Sequence, residues 1–299
     1  MKKILLTGVN GQVGHALQKK LIQYEVIALN REQLNLSDTD AIRRTVQMIK
    51  PDLIINPAAY TAVDKAETEP DLAYAINAIA PQTLAEEAAK LNAALIHFST
   101  DYVYDGTKTS AYLETDSVNP LSVYGKSKLA GEQAVIAVGV PHLVLRTSWV
   151  YGEHGKNFLK TIIRLGGERD SLRIVADQYG APTSNESIAD AVISLLTAWQ
   201  VNNASQSGIY HLTNQGKTSW HGFSCEIVQQ YNRLASSKNW PPLKALVDAI
   251  EPITTAEYPT PAARPANSSL DNAKLNQKFD VTLPTWQQGL HQVMQSIVL

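Results

Sequence analysis

The sequence predicts an α/β protein built on a doubly wound parallel sheet and completed by a smaller mixed α/β lobe. Three observations carry that prediction. Short apolar runs alternate with long helical patterns through the first half of the chain, glycines fill the first strand-to-helix turn, and the alternation loosens near residue 150, where prolines and glycines accumulate.

Residues 3–7 form an apolar run that ends at Gly8, and residues 12–22 place Val13, Leu17, Leu21 and Ile22 at helical spacing. The chain therefore opens as strand, turn, helix. Strands follow at 25–29, 53–56, 95–98 and 142–146, with helices at 39–49, 71–91 and 123–138 between them. Strands separated by helices pair in parallel through right-handed crossovers, so ligands bind beyond the carboxyl ends of the strands. After residue 150, helices are predicted at 157–165, 187–199, 220–234 and 286–298, with strands near 173–175 and 209–212.

Composition narrows the function classes. The 299 residues are 44% hydrophobic and 18% charged, ordinary globular values. With 26 Lys and Arg against 28 Asp and Glu, no general field favours nucleic acid or an anionic membrane. Cys225 is the single cysteine, which excludes an internal disulfide and a cysteine metal cluster and fits the reducing cytoplasm; it reads as a core thiol. The lead Met1-Lys2-Lys3 is followed by an apolar run too short for a signal peptide, and the stretch around 134–145 contains Gly139, Pro141 and His142 and falls short of a membrane span. His15, His97, His154, His211 and His221 show no metal-ligand spacing, so no metal is expected.

Three motifs carry chemistry. In Gly8-Val9-Asn10-Gly11-Gln12-Val13-Gly14 a glycine recurs every third residue between the first strand and the first helix. Gly8 permits the turn, Gly11 lets backbone approach a diphosphate, and Gly14 lets the helix pack close, while the helix N-terminus favours negative charge. A purely structural turn is the alternative; position at the first strand favours a dinucleotide. The predicted organisation is thus residues 1–150 as a dinucleotide-binding domain and 151–299 as mainly a substrate-binding lobe, some of whose segments pack back on the first. At the end of the second strand an acid marks NAD and an arginine accommodates the 2′-phosphate of NADP. This chain has Asn30-Arg31, which predicts NADPH, with NADH also usable.

In the second motif, Tyr124-Gly125-Lys126-Ser127-Lys128, Tyr124 and Lys128 share a helix face about 6 Å apart along the axis. An ammonium there would bring a phenol towards useful acid strength, or the pair is simply a surface tyrosine and a solvated lysine. The third motif, Ser99-Thr100-Asp101-Tyr102, lies where an apolar strand ends, so Thr100 either polarises a bound carbonyl or caps the next turn.

Together these motifs, in this order, resemble the extended short-chain dehydrogenase/reductase family with its Rossmann-like fold. The segments from Asn56 to Glu67, Val123 to Glu132, Arg146 to Tyr151, Asp177 to Thr183 and Thr260 to Ser268 are similar to the dTDP-4-dehydrorhamnose reductase family over nearly the whole chain. That resemblance implies reduction of the C4 keto group of a nucleotide-linked deoxysugar by NADPH or NADH. It implies Tyr124 as proton donor, Lys128 on the nicotinamide ribose and Thr100 on the reacting oxygen. Gly8, Asn10, Gly11, Gln12 and Val13 would border the diphosphate, Ala58, Ala59 and Tyr60 would run along the cofactor, and Asn77 would support the site. Val63, Tyr102, Trp149 and Asn157 would surround the sugar, with Arg264 on the substrate diphosphate through its planar fork. Trp149 also reads as a core aromatic, and Arg264 as a loop charge.

Some members of that family form dimers bridged by glutamate-bound magnesium, one glutamate lying where this chain has Ala16, and the C-terminal residues 295–299 carry no carboxylate side chain. A monomer or weak homodimer is expected. Two rival readings remain within the fold: an epimerase or dehydratase that retains NAD, and a non-catalytic regulatory subunit of the kind that accompanies methionine adenosyltransferase in animals. Dehydratases carry Asp-Glu after the Ser-Thr pair, whereas here Tyr102 follows Asp101.

Overall fold

A computed structural model describes residues 3–200 and 204–298. Met1 and Lys2 of the charged lead and Leu299 of the C-terminal tail lie outside the described residues. A six-stranded, all-parallel sheet forms the centre, with β1 Lys3–Leu6, β2 Glu25–Ala28, β3 Leu53–Asn56, β4 Ala94–Thr100, β5 His142–Thr147 and an edge strand Gly208–His211. The order is Gly208–His211, β5, β4, β3, β1, β2. The predicted doubly wound, Rossmann-like architecture is thus present. The chain moves outward to β2 after β1 and to the other side from β3 onward, so a crevice opens between the carboxyl ends of β1 and β3.

Side chains that alternate along the strands feed two cores. Leu5, Ile54, Leu95 and Val144 meet the helices Thr39–Ile49, Ala80–Lys90 and Val123–Val138 on one face. Ile4, Leu6, Ile55, Ile96 and Leu143 meet Gln12–Lys20 and Asn185–Ala198 on the other. Both faces are covered, which is why these strands read as continuous apolar runs rather than alternating ones. Segments from the second half contribute to this layer: Gly208–His211 extends the sheet, and Asn185–Ala198 and Ala273–Phe279 pack on it. A separate core joins the helices Phe158–Glu168, Trp220–Lys238 and Trp286–Ser296 around the parallel pair Leu172–Val175 and Ile250–Ile253. No described helix is long and apolar enough to cross a membrane.

The predicted helix 71–91 is the main departure. It divides into Pro70–Tyr74, a π-helical turn Ala75–Ile79 and Ala80–Lys90. Pro81 has no N–H to offer the carbonyl of Asn77 four residues back, so the regular ladder cannot continue there. That carbonyl instead faces the helix Val123–Val138. A Cβ on Gly131 would sit 2.0 Å from the Asn77 oxygen, and one on Gly125 would sit 2.3 Å from the Tyr102 oxygen. The helix starts at Ser122, whose hydroxyl accepts the Gly125 N–H at 3.1 Å, and ends at Gly139 with φ of 76°. Inside, Glu132 holds Arg146 of β5 through two bonds of 2.9 and 2.6 Å, both side chains nearly fully buried.

Because the neighbour at Gly131 is backbone, a methyl there cannot be absorbed by a side-chain rotation. Gly131→Ala is expected to lower stability by about 1–3 kcal/mol, the usual range for overpacking. Urea denaturation of the variant and the parent measures it; equal midpoints would show that the helix can shift freely.

Candidate active site

The first strand-to-helix turn is built for close approach. Gly8 has φ of +61°, and a Cβ there would lie 2.8 Å from Ala58 at the end of β3; a Cβ on Gly14 would lie 2.3 Å from the Gly8 carbonyl oxygen. The helix Gln12–Lys20 has Gly11 as N-cap with no side-chain cap, so its first N–H groups point into the crevice, where an anion is favoured. A cleft of about 590 Å³ runs from there along the carboxyl ends of the strands. Gly8, Asn10, Gly11, Gln12 and Val13 line one wall, Ala58, Ala59 and Tyr60 the opposite one, and Tyr124 and Lys128 the far end.

At the mouth, the Asn30 side chain accepts the N–H groups of Glu32 and Gln33 at 2.9 and 3.0 Å, a tight turn that carries the exposed Arg31 past it. Leu34, Leu36 and Lys156 also line the cleft, and the sequence reading missed all three. Leu34 and Leu36 are buried core residues whose edges reach the cleft, and Lys156 reaches the rim because the loop 152–157 docks on the glycine turn.

Asn77, named with the cofactor residues as a support of the site, sits behind the wall. It is 1% exposed; its side-chain Oδ1 accepts the Tyr60 N–H at 2.8 Å, and its Nδ2 donates to the Tyr60 carbonyl at 3.1 Å and the Ser127 hydroxyl at 3.0 Å. With these atoms spent on protein, Asn77 braces the Ala58–Tyr60 wall against the Tyr124 helix.

At the far end, the Lys128 ammonium donates to the Phe98 carbonyl at 2.5 Å, and burial lowers its pKa to about 8. Burial, opposed by a hydrogen bond with Thr100, pushes the Tyr124 phenol up to about 12. Desolvation dominates at the phenol, while the Lys128 ammonium is turned to the Phe98 carbonyl. Thr100 donates to Asp101 Oδ1 at 3.0 Å and accepts the Tyr102 N–H at 3.2 Å. Asp101 is 2% exposed and raised to about 6 by burial, although the hydroxyls of Ser268, Ser148 and Thr100 favour its charged form. The Tyr102 ring stands edge-on to Tyr124 with centroids 5.9 Å apart.

The residues expected around the sugar lie outside the cleft lining and fall into two groups. Tyr102, Arg264 and Val63 form one, beside Tyr124. The Arg264 fork binds Asp64 at 2.7 and 2.8 Å and also the Thr260 hydroxyl and Ala262 carbonyl, and Asp64 follows Val63 in the short helix Val63–Ala66. Arg264 is therefore already paired with a carboxylate, an acidic partner absent from the sequence reading. The second group is Trp149 with Asn157. Trp149 has φ of 47°, rare for a bulky residue, and stacks on Trp220 with centroids 3.4 Å apart. Asn157 commits both amide hydrogens, to Gln12 at 3.0 Å and the Gly152 carbonyl at 2.7 Å, and caps the helix Phe158–Glu168. It joins the second lobe to the glycine turn, where a sugar contact was expected. No group of three or more His, Cys, Asp or Glu that could hold a metal ion occurs among the described residues.

The family model described as RmlD substrate binding domain matches residues 1–299. A dTDP-4-dehydrorhamnose reductase of Burkholderia thailandensis is 45% identical over 292 residues, covering 96% of each chain. A dTDP-4-dehydrorhamnose reductase of Aggregatibacter actinomycetemcomitans is 43% identical, covering 98% of each. Among solved structures, a dTDP-4-dehydrorhamnose reductase of Bacillus anthracis in complex with NADP superposes with a TM-score of 0.88 at 35% identity, covering 99% of each chain.

The buried ammonium has a stability signature. Below about pH 8 the fold bears the cost of a desolvated charge, and between about 8 and the ordinary value of 10.5 the unfolded chain binds more protons, so this contribution to stability improves as pH rises. Lys128→Met is expected to be more stable than the parent at neutral pH, with the gap narrowing across that window. Urea midpoints on both sides of the window measure it, and a constant gap would contradict the assignment.

Proposed function

The chain belongs to the dTDP-4-dehydrorhamnose reductase family, and on that footing we propose that it reduces the C4 keto group of dTDP-4-dehydro-L-rhamnose to the hydroxyl of dTDP-L-rhamnose, with NADPH as reductant. The carrying observation is that Tyr124 and Lys128 line the same cleft as the glycine turn, with buried Thr100 next to the lining residue Ser99. The residues present fit a dinucleotide. The crevice side of the turn admits backbone-close contact, the helix N-terminus without a side-chain cap suits a diphosphate, and the hydroxyls of Ser99 and Thr147, in residues that line the cleft, have no hydrogen-bond partner among the described residues. Gly11, Gln12 and Val13 would hold the diphosphate, Ala58 to Tyr60 the length of the molecule, Lys128 the nicotinamide ribose, and Arg31 the 2′-phosphate. When bound, the reduced nicotinamide supplies the hydride.

The protein's own contribution is the proton. A phenol held near 12 is fully protonated at neutral pH, so Tyr124 Oη carries the proton that the C4 oxygen takes up as hydride arrives. Tyr102, Val63 and Trp149 are the proposed sugar contacts, with Arg264 reaching the substrate diphosphate if Asp64 shares its fork. In this reading residues 1–150 hold the dinucleotide and also supply Val63, Tyr102 and Trp149 to the sugar, while 151–299 is mainly the substrate lobe and supplies Arg264. Cys225 has no cysteine partner, which supports a cytoplasmic setting. Ala16 is fully buried, so position 16 offers nothing to a metal-bridged interface, which supports a monomer or weak homodimer.

Mixing the keto sugar with stoichiometric NADPH should oxidise one cofactor per deoxysugar formed. Sugar conversion without cofactor consumption would favour an epimerase or dehydratase that retains NAD, and no conversion would favour a regulatory subunit. Tyr124→Phe should lower kcat at least about a hundredfold while cofactor still binds, the lower end of general-acid effects. Arg31→Ala should raise the KM for NADPH and leave that for NADH unchanged; equal effects on both would remove Arg31 from the 2′-phosphate.

A further inference from the structure

We infer that Lys156, on a loop of the second lobe, is a cofactor-binding residue that pairs with the dinucleotide diphosphate across the glycine turn. The inference deepens the dinucleotide reading of the cleft and rests on it. Its first observation is the charge of the lining. Three cations, Arg31, Lys128 and Lys156, line the cleft, and no Asp or Glu does so among the described residues. Lys128 lies at the far end with its ammonium on the Phe98 carbonyl, and Arg31 follows β2 at the mouth. Lys156 is the remaining cation, and it has neither an ion pair nor a side-chain hydrogen bond among the described residues.

The second observation is where the loop 152–157 holds that lysine. His154 Nε2 donates to the Asn10 carbonyl at 3.1 Å, and its ring stacks on His15 with centroids 3.9 Å apart. Asn157 Nδ2 donates to Gln12 Oε1 at 3.0 Å. Between these two anchors Gly155, at φ of +74°, lays backbone on Gln12, where a Cβ would lie 3.7 Å from Cγ. The loop's one carboxylate, Glu153, is paired with Lys19 of the helix Gln12–Lys20, which leaves the Lys156 ammonium as the loop's unpaired charge. The uncapped start of that helix offers a diphosphate N–H groups equivalent to about +0.5 elementary charge. That falls short of the charge of a diphosphate, and an ammonium docked beside the same turn makes up part of the difference. The two phosphate sites then divide. Arg31 reads the 2′-phosphate that distinguishes NADPH from NADH, and Lys156 meets the diphosphate common to both.

The test is the dissociation constant of NADPH and of NADH, measured by calorimetry without sugar at low ionic strength, in the parent, Lys156→Met, Lys156→Arg and Arg31→Ala. Lys156→Met should weaken both cofactors by the same factor, about five- to tenfold, the scale of one charge-assisted hydrogen bond at a partly exposed site. That factor should shrink as salt is added, and Lys156→Arg should keep most of the parent affinity. Arg31→Ala, by contrast, should weaken NADPH alone. ADP-ribose, which has the diphosphate but neither the nicotinamide nor the 2′-phosphate, should lose affinity for Lys156→Met by the same factor as the cofactors. Constants unchanged in Lys156→Met overturn the inference, and a loss confined to NADPH overturns it by moving Lys156 to the 2′-phosphate. A parent that binds neither cofactor overturns the dinucleotide reading instead.

Discussion

The backbone contact between the Tyr124 helix and the π-helical turn at Asn77 is the constraint on which the rest of the site depends. Two glycines, Gly125 and Gly131, face carbonyl oxygens at distances that leave no room for a side chain. One contact seats the helix on the turn that carries Thr100 to Tyr102, and the other seats it on the wall behind Ala58 to Tyr60. A single rigid helix therefore sets the Tyr124 hydroxyl against both the Thr100 hydroxyl and the cofactor wall. The Glu132–Arg146 pair fastens the same helix to β5, and Arg146 also donates to the Tyr104 hydroxyl at 2.6 Å. A buried pair of this kind is weak evidence for net stability, but losing one partner would strand the other charge.

Polar groups concentrate where the strands end, and each has a cost that the fold accepts for chemistry. Asp101, Lys128 and Tyr124 are all shifted by burial towards their neutral forms. That common direction suits a site in which a proton must be stored on a phenol and delivered at one moment. Hydroxyls from Thr100, Ser148 and Ser268, rather than a cation, temper the cost at Asp101.

The two lobes are joined at the glycine turn itself. Gln12 donates to the Val150 carbonyl at 3.1 Å and accepts from Asn157, Asn185 donates to the Gln12 carbonyl at 3.2 Å, and His154 reaches the Asn10 carbonyl while its ring stacks on His15. Lys19 and Glu153 add an ion pair across the same seam. The turn proposed for the cofactor diphosphate is therefore also where residues 150–157 and Asn185 dock on the first helix and its turn.

By itself the sequence determined the doubly wound parallel sheet, the glycine turn and the helix that places Tyr124 and Lys128 on one face, because each depends on local period or on residues close together in the chain. Alternating buried strands and helices read directly from apolar spacing, and Gly8 to Gly14 form their turn among themselves. Tertiary structure alone decided which polar atoms remain free. Asn157 and Asn77 look like ligand contacts in the chain, yet their hydrogens are taken by Gln12, Gly152, Tyr60 and Ser127. Arg264 lies 200 positions from Asp64, and that pairing has no local signal. The same holds for the π-helical turn, where Pro81 was visible but its effect on Asn77 depended on Gly131 arriving opposite. The physical reason is that hydrogen-bond valence is limited and is shared among neighbours in space, so a residue's type states what it can bind while only its surroundings state what it has left.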